Sequence, residues 1–131
     1  MNTTTFSPRV QAALDAVDED TYTIRPDGNR VSQSSARQII ATMLDLLEVQ
    51  HGHRVLEIGT ETGYSTALLT QLVGDLGSVT SVEIDPALTA RALGLLRREG
   101  RTADLVTGDG YRRLRPQLRS TEDGWIVRAT V

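Results

Sequence analysis

The feature that most constrains this chain is a short apolar run followed by two glycines four residues apart. Residues 54–58 read Arg-Val-Leu-Glu-Ile, and residues 59–63 read Gly-Thr-Glu-Thr-Gly. A short apolar run bounded by glycine predicts a buried strand. Glycines in the turn that follows let the backbone approach a ligand closely, and a helix behind the turn would offer free N–H groups to an anion. Taken by itself, the pattern is explained equally well by a tight turn that binds no ligand.

The remaining elements alternate in type along the chain. Apolar residues at helical spacing predict helices over about 8–17, 35–48, 64–73 and 86–99. Short apolar runs predict strands over 54–58, 78–84, 103–107 and 125–131. Strands that alternate with helices of this length favour an α/β fold, with a parallel sheet and right-handed crossovers.

The sequence also predicts one loop, the caps of two helices and the buried stripe of one of them. Residues 18–33 are predicted to be a loop, with a turn at Pro26-Asp27-Gly28-Asn29. Asp85 is expected to cap the last helix, with Pro86 at its first position. Ser34 or Ser35 could cap the helix over 35–48. Its expected buried stripe consists of Ile39, Ile40, Met43, Leu44 and Leu47.

Composition narrows the class of protein. A chain of 131 residues fits one domain. The absence of cysteine excludes disulfides and thiolate chemistry, and it is consistent with a cytoplasmic protein. A net charge of −3 leaves no footprint for nucleic acid. No apolar run is long enough to span a membrane, and the first residues lack the pattern of a signal peptide.

Two acidic residues follow the next two predicted strands. Glu83 lies 24 residues after Gly59, where an acid typically binds the ribose hydroxyls of an adenosine ligand. Asp109, between two glycines, could reach an adenine amino group. Taken alone, Glu83 could be a solvated acid and Asp109 part of a plain turn. Their places after successive strands favour a common ligand site.

The glycine spacing separates two kinds of adenosine ligand. A dinucleotide fingerprint requires the pattern G-x-G-x-x-G. Counted from Gly59, the positions that should be small are Glu61 and Tyr64; counted from Gly63, the next is Ser65. An NAD-type dehydrogenase therefore fails on spacing, and S-adenosylmethionine suits the turn better.

Three stretches of the chain closely resemble the protein-L-isoaspartate O-methyltransferase family: residues 55–69 (VLEIGTETGYSTALL), 81–86 (SVEIDP) and 106–111 (VTGDGY). Residues 30–34 (RVSQS) resemble the family segment that contributes an active-site serine. The resemblance implies a Rossmann-like methyltransferase fold, a three-layer sandwich with an incomplete parallel sheet of order 3-2-1-4 and N-terminal helices. It also implies an enzyme that transfers a methyl group from S-adenosylmethionine to an isoaspartyl or aspartyl carboxylate in a peptide or protein.

The resemblance also assigns roles to residues. Ser32 would lie near the accepting carboxylate, Glu83 would bind ribose, Asp109 would bind adenine, and the turn would face the methionine part of the cofactor. Residues 1–33 would supply a helix and the active-site loop, and 34–131 the cofactor domain. The full expected cofactor set is Glu57, Gly59, Thr60, Glu61, Gly63, Tyr64, Glu83, Ile84, Asp109 and Gly110.

Methyl transfer to a carboxylate needs no general base, because the acceptor is already ionised at neutral pH. The sequence offers no obvious base. His51 and His53 precede the first strand, at the end of the sheet away from the expected site, and are interpreted as loop residues. A metal site built on these two histidines is not expected.

Three departures from the family pattern matter. Glu61 replaces the middle glycine of the turn, and Ser34 stands where a proline is expected. A non-glycine residue at Glu61 would cost roughly 1–2 kcal/mol if the position needs a positive φ. The chain ends near strand four, so that residues 124–131 would form an exposed edge that favours a homodimer or pairing with a partner.

The alternative function is a shortened, catalytically impaired homologue that binds the cofactor or acts as an interaction module.

Overall fold

The computed structural model describes residues 6–31 and 37–108, together with the backbone of residues 125–129. These residues form an α/β fold in which a parallel sheet is covered by helices. In chain order the elements are α1 (Pro8–Ala16), α2 (Glu19–Thr23), α3 (Arg37–Leu47), β1 (Arg54–Ile58), α4 (Tyr64–Val73), β2 (Ser78–Glu83), α5 (Pro86–Arg98), β3 (Asp104–Thr107) and β4 (Trp125–Ala129).

The four described strands form one sheet in the order β3-β2-β1-β4, and every neighbouring pair is parallel. The predicted order 3-2-1-4 is confirmed. Two backbone hydrogen bonds extend the ladders past the strand ends: Gly59 N–H donates to the Val82 carbonyl at 2.7 Å, and Gly108 N–H donates to the Glu83 carbonyl at 2.9 Å. The carboxyl ends of the three strands β1, β2 and β3 are therefore aligned along one edge.

The main hydrophobic core lies on one face of the sheet. It joins the apolar sides of α1, α3 and α4 to alternate strand residues such as Val55 and Val79. Leu56 and Val82 point to the other face, where Ile58 and Val106 pack against them. This alternation follows from the two-residue period of a strand and explains why β1 reads as apolar throughout.

The prediction of a loop over residues 18–33 was wrong in part, because this segment contains the short helix α2. The Asp18 side chain caps α2 by accepting from Asp20 N–H at 3.3 Å and from the Thr21 hydroxyl at 3.0 Å. Glu19 and Asp20 lie in the first turn, where negative charge stabilises a helix. The predicted turn is present after α2, and the Gly28 N–H donates to the Arg25 carbonyl.

The buried stripe of α3 was also partly mispredicted. Ile40 and Leu44 are buried as expected, but Ile39 is 59% exposed and Ala41 is fully buried. The helix is therefore rotated so that Ala41 takes the inward position. Its predicted caps, Ser34 and Ser35, lie outside the described residues. At α5 the prediction was right, since the Asp85 side chain accepts from Ala87 N–H at 2.9 Å and Pro86 is the first residue.

A polar network ties α2 to the end of α5. The ring of Tyr22 is fully buried, and its hydroxyl donates to Glu99 Oε1 at 2.7 Å. Arg101 Nε lies 3.6 Å from the same oxygen. The Arg101 guanidinium also donates to the Ala16 carbonyl at the end of α1, at 3.3 Å. These contacts hold the N-terminal helices against the end of α5.

Candidate functional site

The turn after β1 has a left-handed backbone at three positions. The φ angles are +95° at Gly59, +52° at Glu61 and +88° at Gly63. The condition under which Glu61 was expected to be strained, a positive φ at position 61, is therefore present in the structure. Glycine adopts this backbone conformation without a steric penalty. Glu61 has a β-carbon, so the same conformation is strained there.

Gly63 is required for a second reason, close packing. A β-carbon added to Gly63 would lie 3.0 Å from the Ala92 β-carbon and 3.5 Å from the ring of Tyr22. The N-terminus of α4 can therefore approach α5 and α2 closely only because residue 63 lacks a side chain.

The Glu57 carboxylate is enclosed in the interior at the end of β1. It is inaccessible to solvent and accepts hydrogen bonds from three hydroxyls: Ser65 at 2.6 Å, Thr66 at 2.5 Å and Ser81 at 2.8 Å. The Ser81 hydroxyl also bonds to Thr60 Oγ1 at 2.6 Å. Ser65 and Thr66 lie in the first turn of α4, and Ser81 lies on β2. This hydroxyl cluster (Thr60, Ser65, Thr66 and Ser81) thus joins the turn, α4 and β2 through one carboxylate.

The Glu83 carboxylate lies at the end of β2 and connects two loops. Its Oε1 accepts from Glu61 N–H at 2.8 Å, and its Oε2 accepts from Asp85 N–H at 3.0 Å. A carboxylate can accept about four hydrogen bonds, so the two backbone donors leave further acceptor capacity. Beside it, the Ile84 side chain is 76% exposed. A hydrogen-bond acceptor and an exposed apolar side chain therefore stand next to each other at the carboxyl edge of the sheet.

Tyr64 lies inside the protein rather than at the open edge. It is 1% exposed, and its ring packs against Tyr22 with centroids 6.4 Å apart. Burial raises the pKa of the Tyr64 hydroxyl, and the nearby Arg37 guanidinium opposes this shift. Within the part of the chain that the structure describes, the buried hydroxyl oxygen has no hydrogen-bond partner.

The predicted cofactor residues therefore fall into two groups. Gly59, Glu61, Glu83 and Ile84 lie at the carboxyl edge of the sheet, where Glu83 is only 6% exposed, and Glu57, Thr60, Gly63 and Tyr64 are buried beneath them. Sequence reasoning did not single out the hydroxyls of Ser65, Thr66 and Ser81. Small hydroxyl residues are too common in helices and strands for their presence in α4 and β2 to have indicated this role.

Three predicted site residues, Ser32, Asp109 and Gly110, lie outside the described residues. Their neighbours in sequence, Val31 and Gly108, are described. Val31 is buried and its N–H donates to the Thr23 carbonyl at 2.8 Å, and Gly108 is bonded to Glu83 as described above.

His51 and His53 lie before β1, at the opposite end of the sheet from Glu83. The His53 ring accepts from Gln50 N–H at 3.0 Å, as expected for a loop histidine. Among residues 6–31 and 37–108, no three acidic or histidine side chains are grouped in a way that could hold a metal ion. The helices found there are all too short or too polar to cross a bilayer.

The parallel sheet with a glycine-bearing turn after its first strand and a carboxylate after its second has the architecture of class I methyltransferases. The family model described as protein-L-isoaspartate(D-aspartate) O-methyltransferase matches residues 4–117. This chain therefore belongs to the protein-L-isoaspartate O-methyltransferase family.

Individual relatives agree with the family match. The chain is 47% identical over 85 residues to a protein-L-isoaspartate O-methyltransferase of Anaeromyxobacter dehalogenans, covering 63% of this chain and 38% of the relative. It is 33% identical over 105 residues to one of Methanococcus maripaludis, covering 79% of this chain and 50% of the relative. The chain thus spans half or less of these two relatives' own length.

Solved structures show the same fold. A protein-L-isoaspartate O-methyltransferase structure superimposes with a TM-score of 0.70 at 29% identity, covering 80% of this chain and 38% of that one. The structure of a Plasmodium falciparum protein in complex with S-adenosyl-L-homocysteine superimposes with a TM-score of 0.71 at 17% identity, covering 94% of this chain and 65% of that one.

Proposed function

We propose that this chain provides the cofactor-binding part of an S-adenosylmethionine-dependent methyltransferase that acts on isoaspartyl or aspartyl carboxylates in peptides or proteins. The observation that carries this proposal is the Glu83 carboxylate, held at the sheet edge by Glu61 N–H and Asp85 N–H beside the left-handed turn. Family membership gives the class of reaction.

The residues at the edge fit an adenosine ligand. Glu83 has acceptor capacity left for a ribose diol, and the exposed Ile84 offers an apolar surface to a flat base. Gly59 and Glu61 would face the methionine part of the ligand, and Asp109 and Gly110 would bind the adenine. When bound, S-adenosylmethionine supplies a methyl group activated by the positive sulfonium.

The chain's own residues would act by positioning rather than by proton transfer. An acceptor carboxylate is ionised at neutral pH, so no side chain has to remove a proton from it. Ser32 would orient this carboxylate toward the methyl group, and closure of the site against water would favour the displacement. Glu57 would support the turn from beneath through the hydroxyl cluster rather than by touching the ligand.

Isothermal calorimetry with S-adenosylmethionine and S-adenosylhomocysteine tests the site. Wild-type protein is expected to bind both, and Glu83→Gln is expected to weaken binding at least tenfold, about 1.4 kcal/mol. Asp75→Asn is a matched control, because Asp75 is exposed and lies after α4, at the other end of the sheet. Wild-type protein that binds neither ligand would reject the proposal.

A second assay separates an enzyme from a binding module. Transfer of a labelled methyl group to an isoaspartyl peptide, compared with the same peptide carrying ordinary aspartate, measures both activity and substrate class. Cofactor binding without transfer to either peptide would favour the alternative, a catalytically impaired homologue.

We further propose that the protein self-associates or pairs with a partner through residues 124–131. Support comes from the place of β4 at one edge of the described sheet, where unpaired backbone groups can pair with another strand.

A further inference from the structure

A groove runs between α5 and the segment formed by α2 and the turn that follows it. It has a volume of about 430 Å³. Three guanidinium groups line it, those of Arg25, Arg91 and Arg98, and its walls also include the apolar side chains of Ile24, Pro26 and Leu95. We call this feature the basic groove. It adjoins the turn after β1, since Arg91 Nη1 lies 3.4 Å from the Thr62 carbonyl.

The positive charges of the basic groove outnumber the acids of the described chain that act on them. A backbone hydrogen bond from Asn29 and, more weakly, the charge of Arg25 lower the pKa of the exposed Asp27 carboxyl, and Arg25 forms no ion pair with it. Arg91 and Arg98 are seven residues apart, which places them on one side of α5, and that helix contains no acidic residue. Within residues 6–31 and 37–108, none of the three arginines forms an ion pair with a carboxylate. Partial burial and the charge of Arg25 both lower the pKa of Arg91, so two like charges face each other here. The Asp27 carboxylate accepts from Asn29 N–H at 2.9 Å.

The floor of the basic groove is a glycine in the middle of a helix. Gly94 lies within α5, where glycine is less favourable than alanine by about 1 kcal/mol. A β-carbon added there would meet no described atom within 4 Å. Packing within the described chain therefore does not require glycine at this position. The missing side chain leaves space in which an extended chain could lie against the helix between Arg91 and Arg98.

We infer that the basic groove binds an acidic stretch of the peptide or protein substrate, with glutamate or aspartate side chains paired to Arg25, Arg91 and Arg98. This inference rests on the proposed function, because it takes the substrate to be a polypeptide. Arginine forms bidentate hydrogen bonds with carboxylates, and the apolar walls suit the aliphatic stems of a peptide. The groove would hold residues that flank the methylated one, since Arg91 links it to the turn. A nucleic acid is disfavoured, because the whole chain carries a net charge of −3.

Fluorescence anisotropy with two labelled peptides tests the inference on the full chain. Both peptides carry one isoaspartyl residue, flanked by four glutamates in one peptide and by four glutamines in the other. At low salt, the glutamate peptide is expected to bind about 3- to 10-fold more tightly, from two or three partly exposed ion pairs. The preference is expected to shrink at 0.5 M NaCl, because salt screens exposed charges.

Three variants test whether the preference for the glutamate peptide arises in the basic groove. The double variant Arg25→Gln with Arg98→Gln is expected to reduce the preference to within twofold. Arg97→Gln is the control for the change at Arg98: each removes one positive charge from the end of α5, but Arg97 does not line the groove. Gly94→Leu fills the floor without changing charge and is expected to weaken both peptides. Thermal unfolding of each variant confirms that the fold is retained.

Equal affinity for the two peptides would overturn the inference, as would an equal loss of preference in Arg97→Gln and in the double variant. Displacement of the glutamate peptide by a single-stranded oligonucleotide, but not by unlabelled glutamate peptide, would also overturn it, in favour of a nucleic-acid site. Calorimetry with S-adenosylmethionine on the same samples keeps the two proposals apart. Intact cofactor binding without a peptide preference rejects the groove alone, whereas failed cofactor binding rejects the proposed function.

Discussion

Glu61 adopts a backbone conformation that its neighbours Gly59 and Gly63 reach without a β-carbon. Its φ of +52° lies in the left-handed region, where an L-residue other than glycine is strained by roughly 1–2 kcal/mol. The strain is located in the turn beside Glu83, whose carboxylate accepts the Glu61 N–H. The interaction of Glu83 with the turn therefore helps to hold a conformation that the Glu61 side chain opposes.

We expect Glu61→Gly to stabilise the protein by up to about 1 kcal/mol, because relief of strain exceeds the added entropy of the unfolded chain. Urea unfolding measures the difference. Glu61→Ala is the control, since it removes the charge but keeps the β-carbon, and it should show little of the gain. Equal stabilisation by both variants would assign the effect to charge instead.

Gly63→Ala is expected to destabilise the protein by about 2–4 kcal/mol, because it combines a positive φ with a β-carbon 3.0 Å from Ala92. Adding Ala92→Gly should recover only the part that comes from the contact. The free energy of unfolding of the single and double variants gives the two parts. A neutral Gly63→Ala would show that α4 and α5 can move apart freely.

At the residue scale, the glycines of the turn and the acid at the strand end were easier to predict than the hydroxyls that support them. Gly59, Gly63 and Glu83 were recognisable because backbone geometry and strand ends dictate their residue types. The bonds from Ser65, Thr66 and Ser81 to Glu57 could not be predicted. Small hydroxyl residues are common in strands and helices, and only the three-dimensional packing directs them to one carboxylate.

At the scale of elements, the contact between α2 and the end of α5 depends on one buried tyrosine. The Tyr22 hydroxyl donates to Glu99, whose side chain is 30% exposed and also faces Arg101. Burial, followed by the hydrogen bond to Glu99 and its charge, raises the pKa of Tyr22 well above the ordinary value of about 10.

Tyr22→Phe is expected to cost about 1 kcal/mol at neutral pH, because one hydrogen bond is lost while Glu99 keeps Arg101 and access to water. A folded-state pKa raised above the unfolded one gives stability that is complete below about pH 10 and is lost as the pH rises further. Wild-type stability should therefore fall above pH 10, and the variant should show a smaller fall. Urea midpoints from pH 7 to 11 measure both effects, and parallel pH profiles would contradict the assignment to Tyr22.

Helix α2 itself shows where prediction from sequence reached its limit. Five residues are too few for a periodic apolar pattern, so the segment read as a loop. The capping residue Asp18 and the acids that follow it were the local signal. The rest of its stability comes from the burial of Tyr22 and Tyr64, which are 42 positions apart in sequence. Such long-range packing leaves no trace in a local pattern.

For the whole molecule, a parallel sheet with right-handed crossovers was predictable because each strand is short, apolar and separated from the next by a helix-length segment. The order of its strands was implied by the resemblance to the family and not by this pattern. The order β3-β2-β1-β4 places β4 beside β1 and leaves its other side at an edge of the described sheet.

If residues 124–131 pair with another chain, light scattering of the protein should show a mass above 14.3 kDa that increases with concentration. A proline in place of Val127 would interrupt pairing, but it would also disturb the bond of β4 to β1. Ile126→Lys and Val127→Lys therefore serve as two alternative variants, whose charges discourage edge pairing. A constant mass of one chain up to millimolar concentration would contradict the proposal.

The hydroxyl cluster around Glu57 has a kinetic consequence. Because the protein's own bonds between β1, β2 and α4 shape the turn before any ligand arrives, little chain ordering remains to be done on association. A ligand of this turn would meet a receptor already in its binding form. Its association rate would then rise in proportion to its concentration, without the plateau that a slow loop rearrangement imposes.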